Sequence, residues 1–93
     1  MRTIEHTSQF RKDYKRERKG QHAKVVDALL QAAVHDLQRD IPLAASLKDH
    51  DLSGQWKDHR DCHLKPDLVL IYAKFGDDRL VLARIGSHSE LFG

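Results

Sequence analysis

Apolar residues recur along the chain in two rhythms, and the switch between them divides it into a helical first half and a strand-rich second half. Residues 2–6 read as a short strand. Thr7 or Ser8 then offers an N-cap for a helix whose apolar positions Phe10 and Tyr14 stand four apart, and Gly20 ends it. Val26, Leu29, Leu30, Ala33, Val34 and Leu37 follow at spacings of three and four, the stripe of a second amphipathic helix. From Arg39 to Gly54 the periodicity is lost and Pro42 and Gly54 interrupt, which predicts a long connection carrying Lys48-Asp49-His50. Gln55–Leu64 alternates as a strand does, Leu68–Tyr72 is an unbroken apolar run, and Arg79–Ile85 is apolar again. Gly76-Asp77-Asp78 reads as a hairpin turn, and Ser87 can cap one closing helical turn. The expected class is α+β in the order β-α-α-β-β-β: an antiparallel meander, its unbroken run central, with the helix pair on one face.

Ninety-three residues offer apolar surface for one core, so residues 1–93 are expected to form a single domain. With 40% hydrophobic and 32% charged residues the chain is neither disordered nor membrane-spanning in character. Arg2, Glu5 and His6 stand where an export signal needs an apolar stretch, so a cytoplasmic location is expected. A lone cysteine, Cys62, can form neither an internal disulfide nor a cysteine-based zinc framework and is read as a small half-buried hydrophobe. The net charge of +2 hides an asymmetry, because residues 1–24 hold eight Lys/Arg against three Asp/Glu. The excess peaks over Phe10–Lys19, which is either a solvated helix face or a surface for a polyanion.

Seven histidines are present, and His50, His59, His63 and His88 all lie in the loop-and-sheet half. Imidazole both takes and gives a proton near neutrality, so this concentration points to general acid–base chemistry or to a metal. A metal is disfavoured by spacing. His59 and His63, four apart on an expected strand, would lie ~13 Å from one another. Alternation places Trp56, Asp58, Arg60, Cys62 and Leu64 on one face of that strand and the wholly polar set Lys57, His59, Asp61 and His63 on the other. Arg84, a lone charge in an apolar strand, must reach water or a partner.

These residues fall in ordered blocks: Lys48-Asp49-His50-x-Leu52-x-Gly54-x-Trp56-Lys57, then Arg60-Asp61-x-His63, then Pro66-Asp67-x-x-Leu70-Ile71-Tyr72, and the ending Arg84-x-Gly86-x-His88-x-x-Leu91-Phe92-Gly93. The chain resembles the YafQ branch of the RelE/ParE toxin superfamily over residues 1–93, densely from Lys48 onward and weakly in the helices. The resemblance implies a RelE-like fold and the toxin of a type II toxin–antitoxin pair, a ribosome-dependent mRNA endonuclease without cofactor or metal. Its partners would be a cognate antitoxin, the ribosome and mRNA, with no membrane, the toxin being monomeric when free and hetero-oligomeric with the antitoxin. The site residues it implies are His50, His63, Asp67, His88 and Phe92, with Asp61 and Arg84 nearby and Lys57 on the RNA side. His59 departs from the pattern, standing where a close relative has tyrosine.

Metal-free RNA cleavage needs a base for the 2′-hydroxyl, an acid for the departing 5′-oxygen and positive charge at phosphorus. On the resemblance, His88 is assigned as acid, and His50 or His63 as base or phosphate-stabilising cation. Asp67 would raise or orient a histidine or be the base itself, Arg84 would brace the phosphate, and Phe92 would stack an unpaired base. Arg11, Lys12, Lys15, Arg16, Arg18 and Lys19 are the expected contacts to ribosomal RNA. The competing readings are a ParE-like toxin acting by binding alone, a plain RNA-binding module and a metal hydrolase.

Overall fold

The computed structural model describes residues 1–93. Strand β1 (Thr3–His6) leads into helix α1 (Ser8–Glu17), and helix α2 (Val26–Gln38) returns. A connection with one turn of 3-10 helix at Ala45–Leu47 reaches the two-residue strand β2 (His50–Asp51), and a second such turn spans Gly54–Trp56. Strands β3 (Arg60–Lys65), β4 (Leu68–Phe75) and β5 (Arg79–Gly86) follow, and helix α3 (His88–Phe92) closes the chain. No helix is long and apolar enough to cross a membrane.

The five strands form one sheet in the order β1-β5-β4-β3-β2. The meander from β2 to β5 is antiparallel, as the short links between strands imply, but β1 lies parallel to β5, with Thr3 opposite Arg79 and His6 opposite Leu82. A parallel pair needs a crossover rather than a hairpin, and here everything from α1 to β4 supplies it. Two expectations for the middle of the chain are corrected. The connection contains β2, two residues being too short to show a rhythm. The strand expected over Gln55–Leu64 begins only at Arg60, because Gly54 and Asp58 take left-handed backbone angles (φ +65 and +69) that break an extended run. Lys57 and His59 therefore precede the strand, while Asp61 and His63 do share one of its faces.

That face matters, because the two sides of the sheet are built differently. Cys62, Leu64, Leu68, Leu70, Tyr72, Leu80, Leu82 and Ile85 point at the helix pair and are buried with Phe10, Val26, Ala33 and Leu37. On the opposite side Val69, Ile71 and Ala83 are covered by Leu91 of α3, with Leu52, Trp56 and Phe92 around them. Central β4 is thus buried on both faces, which explains its unbroken apolar run.

Helix α1 owes its start to Thr7, whose Oγ1 accepts from the Phe10 amide at 2.9 Å and donates to the Ala83 carbonyl at 2.7 Å. Where β1 stops, α1 continues along the exposed edge of β5 and side chains take over the pairing. Asp13 accepts from the Ile85 amide at 3.2 Å, and Arg16 donates to the Ile85 carbonyl at 3.0 Å.

Candidate active site

Each candidate histidine is placed by a different element. His50 sits in β2 directly opposite Asp61 of β3. Its segment is held down by Asp49, which accepts from Arg60 Nε at 3.2 Å and Nη2 at 3.1 Å and also from the buried Tyr72 hydroxyl, while Arg60 Nη1 donates to Asp51 at 2.5 Å. His63 lies two residues along β3 from Asp61, so the two share a face, and its ring centroid is 6.5 Å from that of His50. His88 opens α3, whose start is fixed by a capping box. Ser87 Oγ accepts from the Glu90 amide at 3.2 Å, and Glu90 accepts from the Ser87 amide at 2.8 Å. The His88 ring is 4.8 Å from that of Phe92, which also rests on the small Val69–Ile71–Ala83–Leu91 cluster.

Asp61 joins the three. It is 2% exposed, and its Oδ1 has no hydrogen-bond partner. Burial pushes its carboxyl above the usual carboxylate range, the positive charges of His50, His63 and His88 pull it back, and Asp49 pushes it up; the net shift is upward. One carboxylate therefore feels three imidazoles from three elements.

His50 Nδ1 faces two acceptors, the Lys48 carbonyl at 2.9 Å and Asp61 Oδ1 at 3.0 Å. The geometry forms a hydrogen bond only to the carbonyl, so the approach to Asp61 is electrostatic. Because the Lys48 carbonyl can only accept, Nδ1 carries the ring's proton, and neutral His50 keeps its lone pair on Nε2. Trp56 Nε1 is a second buried polar atom on this side without a partner, and the Trp56 ring meets His59 edge-on at 5.2 Å. Lys57 is exposed beside it.

Two expected site residues are engaged elsewhere. Asp67, in the β3–β4 turn, accepts from Gln21 at 2.8 Å and lies 2.9 Å from His22, so the histidine it orients belongs to the α1–α2 connection. The carboxylate among the site histidines is Asp61, which the sequence reading had placed near the site without a catalytic role. Arg84 puts Nε and Nη2 on Asp13 at 2.6 and 3.0 Å, so that edge of its fork is filled by a buried carboxylate and is not free for a two-pronged grip on a phosphate. Burial pushes the Asp13 carboxyl up, but its bonds to Arg84, Gln9 and the Ile85 amide outweigh that and hold it below the usual range. Nothing in the local pattern names these partners, although a charged Asp13 three residues after Phe10, on the apolar stripe of α1, does signal a buried pair.

Among the basic residues of α1 and its C-terminal turn, Arg11, Lys12, Lys15, Arg18 and Lys19 are exposed. Arg16 departs from the expected docking set, since its guanidinium is shared among Asp13, Glu17 and Glu90 and adds no free positive charge. No group of three or more His, Cys, Asp or Glu side chains is arranged to hold a metal ion.

Comparison with known proteins gives the chain a family. Residues 2–93 match the family described as bacterial toxin of type II toxin–antitoxin system, YafQ. The chain belongs to the YafQ toxin family. It is 41% identical over 92 residues to the mRNA interferase toxin YafQ of Escherichia coli K12, covering 99% of this chain and 97% of that one. Among solved structures, a metal-bound toxin from Helicobacter pylori superposes with a TM-score of 0.87 at 47% identity, covering 99% of this chain and all of that one. The E. coli DinJ–YafQ toxin–antitoxin complex does so with 0.83 at 41%, covering 99% and 98%. The α+β fold is therefore shared with the solved YafQ structures, and in this chain the histidine patch lies on the sheet face opposite the helix pair.

Proposed function

We propose that this chain is an mRNA interferase, the toxin of a type II pair, which cuts mRNA held in the ribosome and so stops translation in the cytoplasm. The observation that carries the reading is the grouping of His50 and His63 around Asp61, with His88 near enough for its charge to act on the same carboxylate. His50 Nε2, its lone pair fixed outward by the Lys48 carbonyl, takes the proton of a 2′-hydroxyl. The 2′-oxygen attacks the adjacent phosphorus, the bond from phosphorus to the 5′-oxygen breaks, and His88 gives that oxygen a proton. A 2′,3′-cyclic phosphate and a 5′-hydroxyl result, and the balance needs no further reactant. His63 supplies positive charge at the phosphorane, and buried Asp61 stabilises whichever imidazole is protonated. Phe92, braced against His88, offers a face to an unpaired base.

Ribosomal RNA enters as partner because a domain of this size covers few nucleotides, and alignment of the scissile phosphate has to come from outside. Arg11, Lys12, Lys15, Arg18 and Lys19 are the docking contacts. A cognate antitoxin, as DinJ is for the E. coli relative in their complex, is the second partner. The test is mapping of mRNA 5′ ends after incubation with and without ribosomes in magnesium buffer, using toxin either untreated or stripped of transition metals by chelator and desalted beforehand. Cleavage only with ribosomes, equal for stripped and untreated toxin, is expected. Cuts in naked RNA, no cuts at all, or loss of activity in the stripped toxin that added transition metal restores would each overturn part of the scheme.

A further inference from the structure

We infer that Arg16 is a positioning residue for the closing turn that carries His88 and Phe92, acting through Glu90 rather than as a contact to ribosomal RNA. The inference rests on the proposed role of His88. Helix α3 has five residues, far too few to hold itself, so its orientation comes from anchors outside it. One anchor is Leu91, buried against the sheet. The other is Glu90, which uses Oε1 to close the cap on the Ser87 amide and Oε2 to meet Arg16 Nε at 3.1 Å.

Arg16 is itself pinned. Its Nη2 donates to the Ile85 carbonyl at 3.0 Å, its Nη1 to Asp13 at 3.2 Å and its Nε to Glu17 at 3.1 Å, so it ties α1, the edge of β5 and α3 together. Gly86 makes room for this. A Cβ there would stand 2.6 Å from Arg16 Nη2 and 3.2 Å from Glu90 Oε1, too close for any other residue without displacing the link.

Both side chains are about two-fifths exposed (41% and 39%), and a pair this wet contributes little to global stability. Its effect is on where α3 points. That separates positioning from docking: Glu90→Gln removes a negative charge and keeps the cap, so it would leave or improve docking yet loosen the turn.

The experiment measures single-turnover mRNA cleavage on ribosome complexes for R16K, E90Q and the double variant, with His88→Gln as reference and thermal midpoints in parallel. R16K and E90Q are each expected to slow cleavage at saturating ribosome roughly tenfold or more, since a displaced catalytic group costs up to about a hundredfold. Half-saturating ribosome concentration should change less than about twofold, and the double variant should be no slower than the slower single. Amide order parameters over Ser87–Phe92 in the free protein should fall in both variants. If folded E90Q cleaves at the wild-type rate, or R16K raises only the half-saturating concentration, the assignment is overturned. If the wild type does not cut at all, the proposed function fails, and the order parameters alone still decide whether Arg16 holds the turn.

Discussion

The two faces of the sheet differ in what their buried residues are for. Beneath the helices, twelve buried side chains form a core whose polar neighbours are paired, as Tyr72 is with Asp49. On the other face the buried apolar cluster has only four residues, and beside it lie a buried carboxylate oxygen and an indole N–H with no partner. The first face meets the ordinary requirement that buried polar groups be bonded; the second violates it beside the histidine patch, and in the proposed mechanism that is where reacting groups have to be kept available. On that proposal stability resides largely on one side of a sheet a single residue thick, and chemistry on the other.

The largest effect that would break this division is on rate. His88→Gln should lower cleavage on ribosomes by about 10²–10⁴-fold, the range for a positioned acid or base, with little change in thermal midpoint. A midpoint falling with the rate would mean that the site face carries the fold too. The converse is Leu70→Ala on the helix face, which should cost about 2–5 kcal/mol of stability in denaturant unfolding while cleavage per folded molecule persists.

Asp61→Asn should move the two properties in opposite directions, lowering activity and raising stability by ~1 kcal/mol, about 4–8 °C in midpoint for a domain of this size. The sign follows from its raised pKa. Folded Asp61 binds its proton more tightly than the unfolded chain does, so it costs stability as pH rises from the ordinary carboxylate range through its folded value. The gain in Asp61→Asn should therefore be present at neutral pH and vanish on acidification. Asp13 is the mirror case: its folded pKa is depressed, so its contribution is present above the ordinary carboxylate range and lost as pH falls through the folded value. Unfolding curves of the two Asn variants from pH 3 to 7, on the order of the carboxylate range, should diverge in opposite senses. The smallest effect sharpens the comparison from outside: each of Lys12→Glu and Lys15→Glu should weaken ribosome binding and flatten its salt slope by roughly one unit or more, leaving cleavage at saturation unchanged.

How much of this was legible in the sequence depended on the range over which each feature is encoded. Helices, central strand, hairpin and closing turn follow from spacings within a dozen residues, and all appear. Ser87 was readable as a cap in the same way, and the structure adds Glu90 as its reciprocal partner. Strand β2 was not, because two residues carry no rhythm, and the false start of β3 arose from a chance alternation that Gly54 and Asp58 interrupt. The engagements of Arg84 with Asp13, Asp67 with His22 and Arg16 with Glu90 span 71, 45 and 74 positions and are fixed only by the packing of α1 beside β5 and of the turns beside one another. Histidine enrichment pointed to the face on which the chemistry is proposed; which carboxylate stands among the imidazoles was a tertiary fact.

Along the far half of β5, where hydroxyl, carboxylate and guanidinium groups of Thr7, Asp13 and Arg16 stand in for a neighbouring strand, the protein has sealed a seam without spending backbone on it. Such a seam, left bare, invites another chain to zip onto it. These three side chains are thus also a guard against self-association, and a variant stripped of them should reveal itself first in the insoluble fraction.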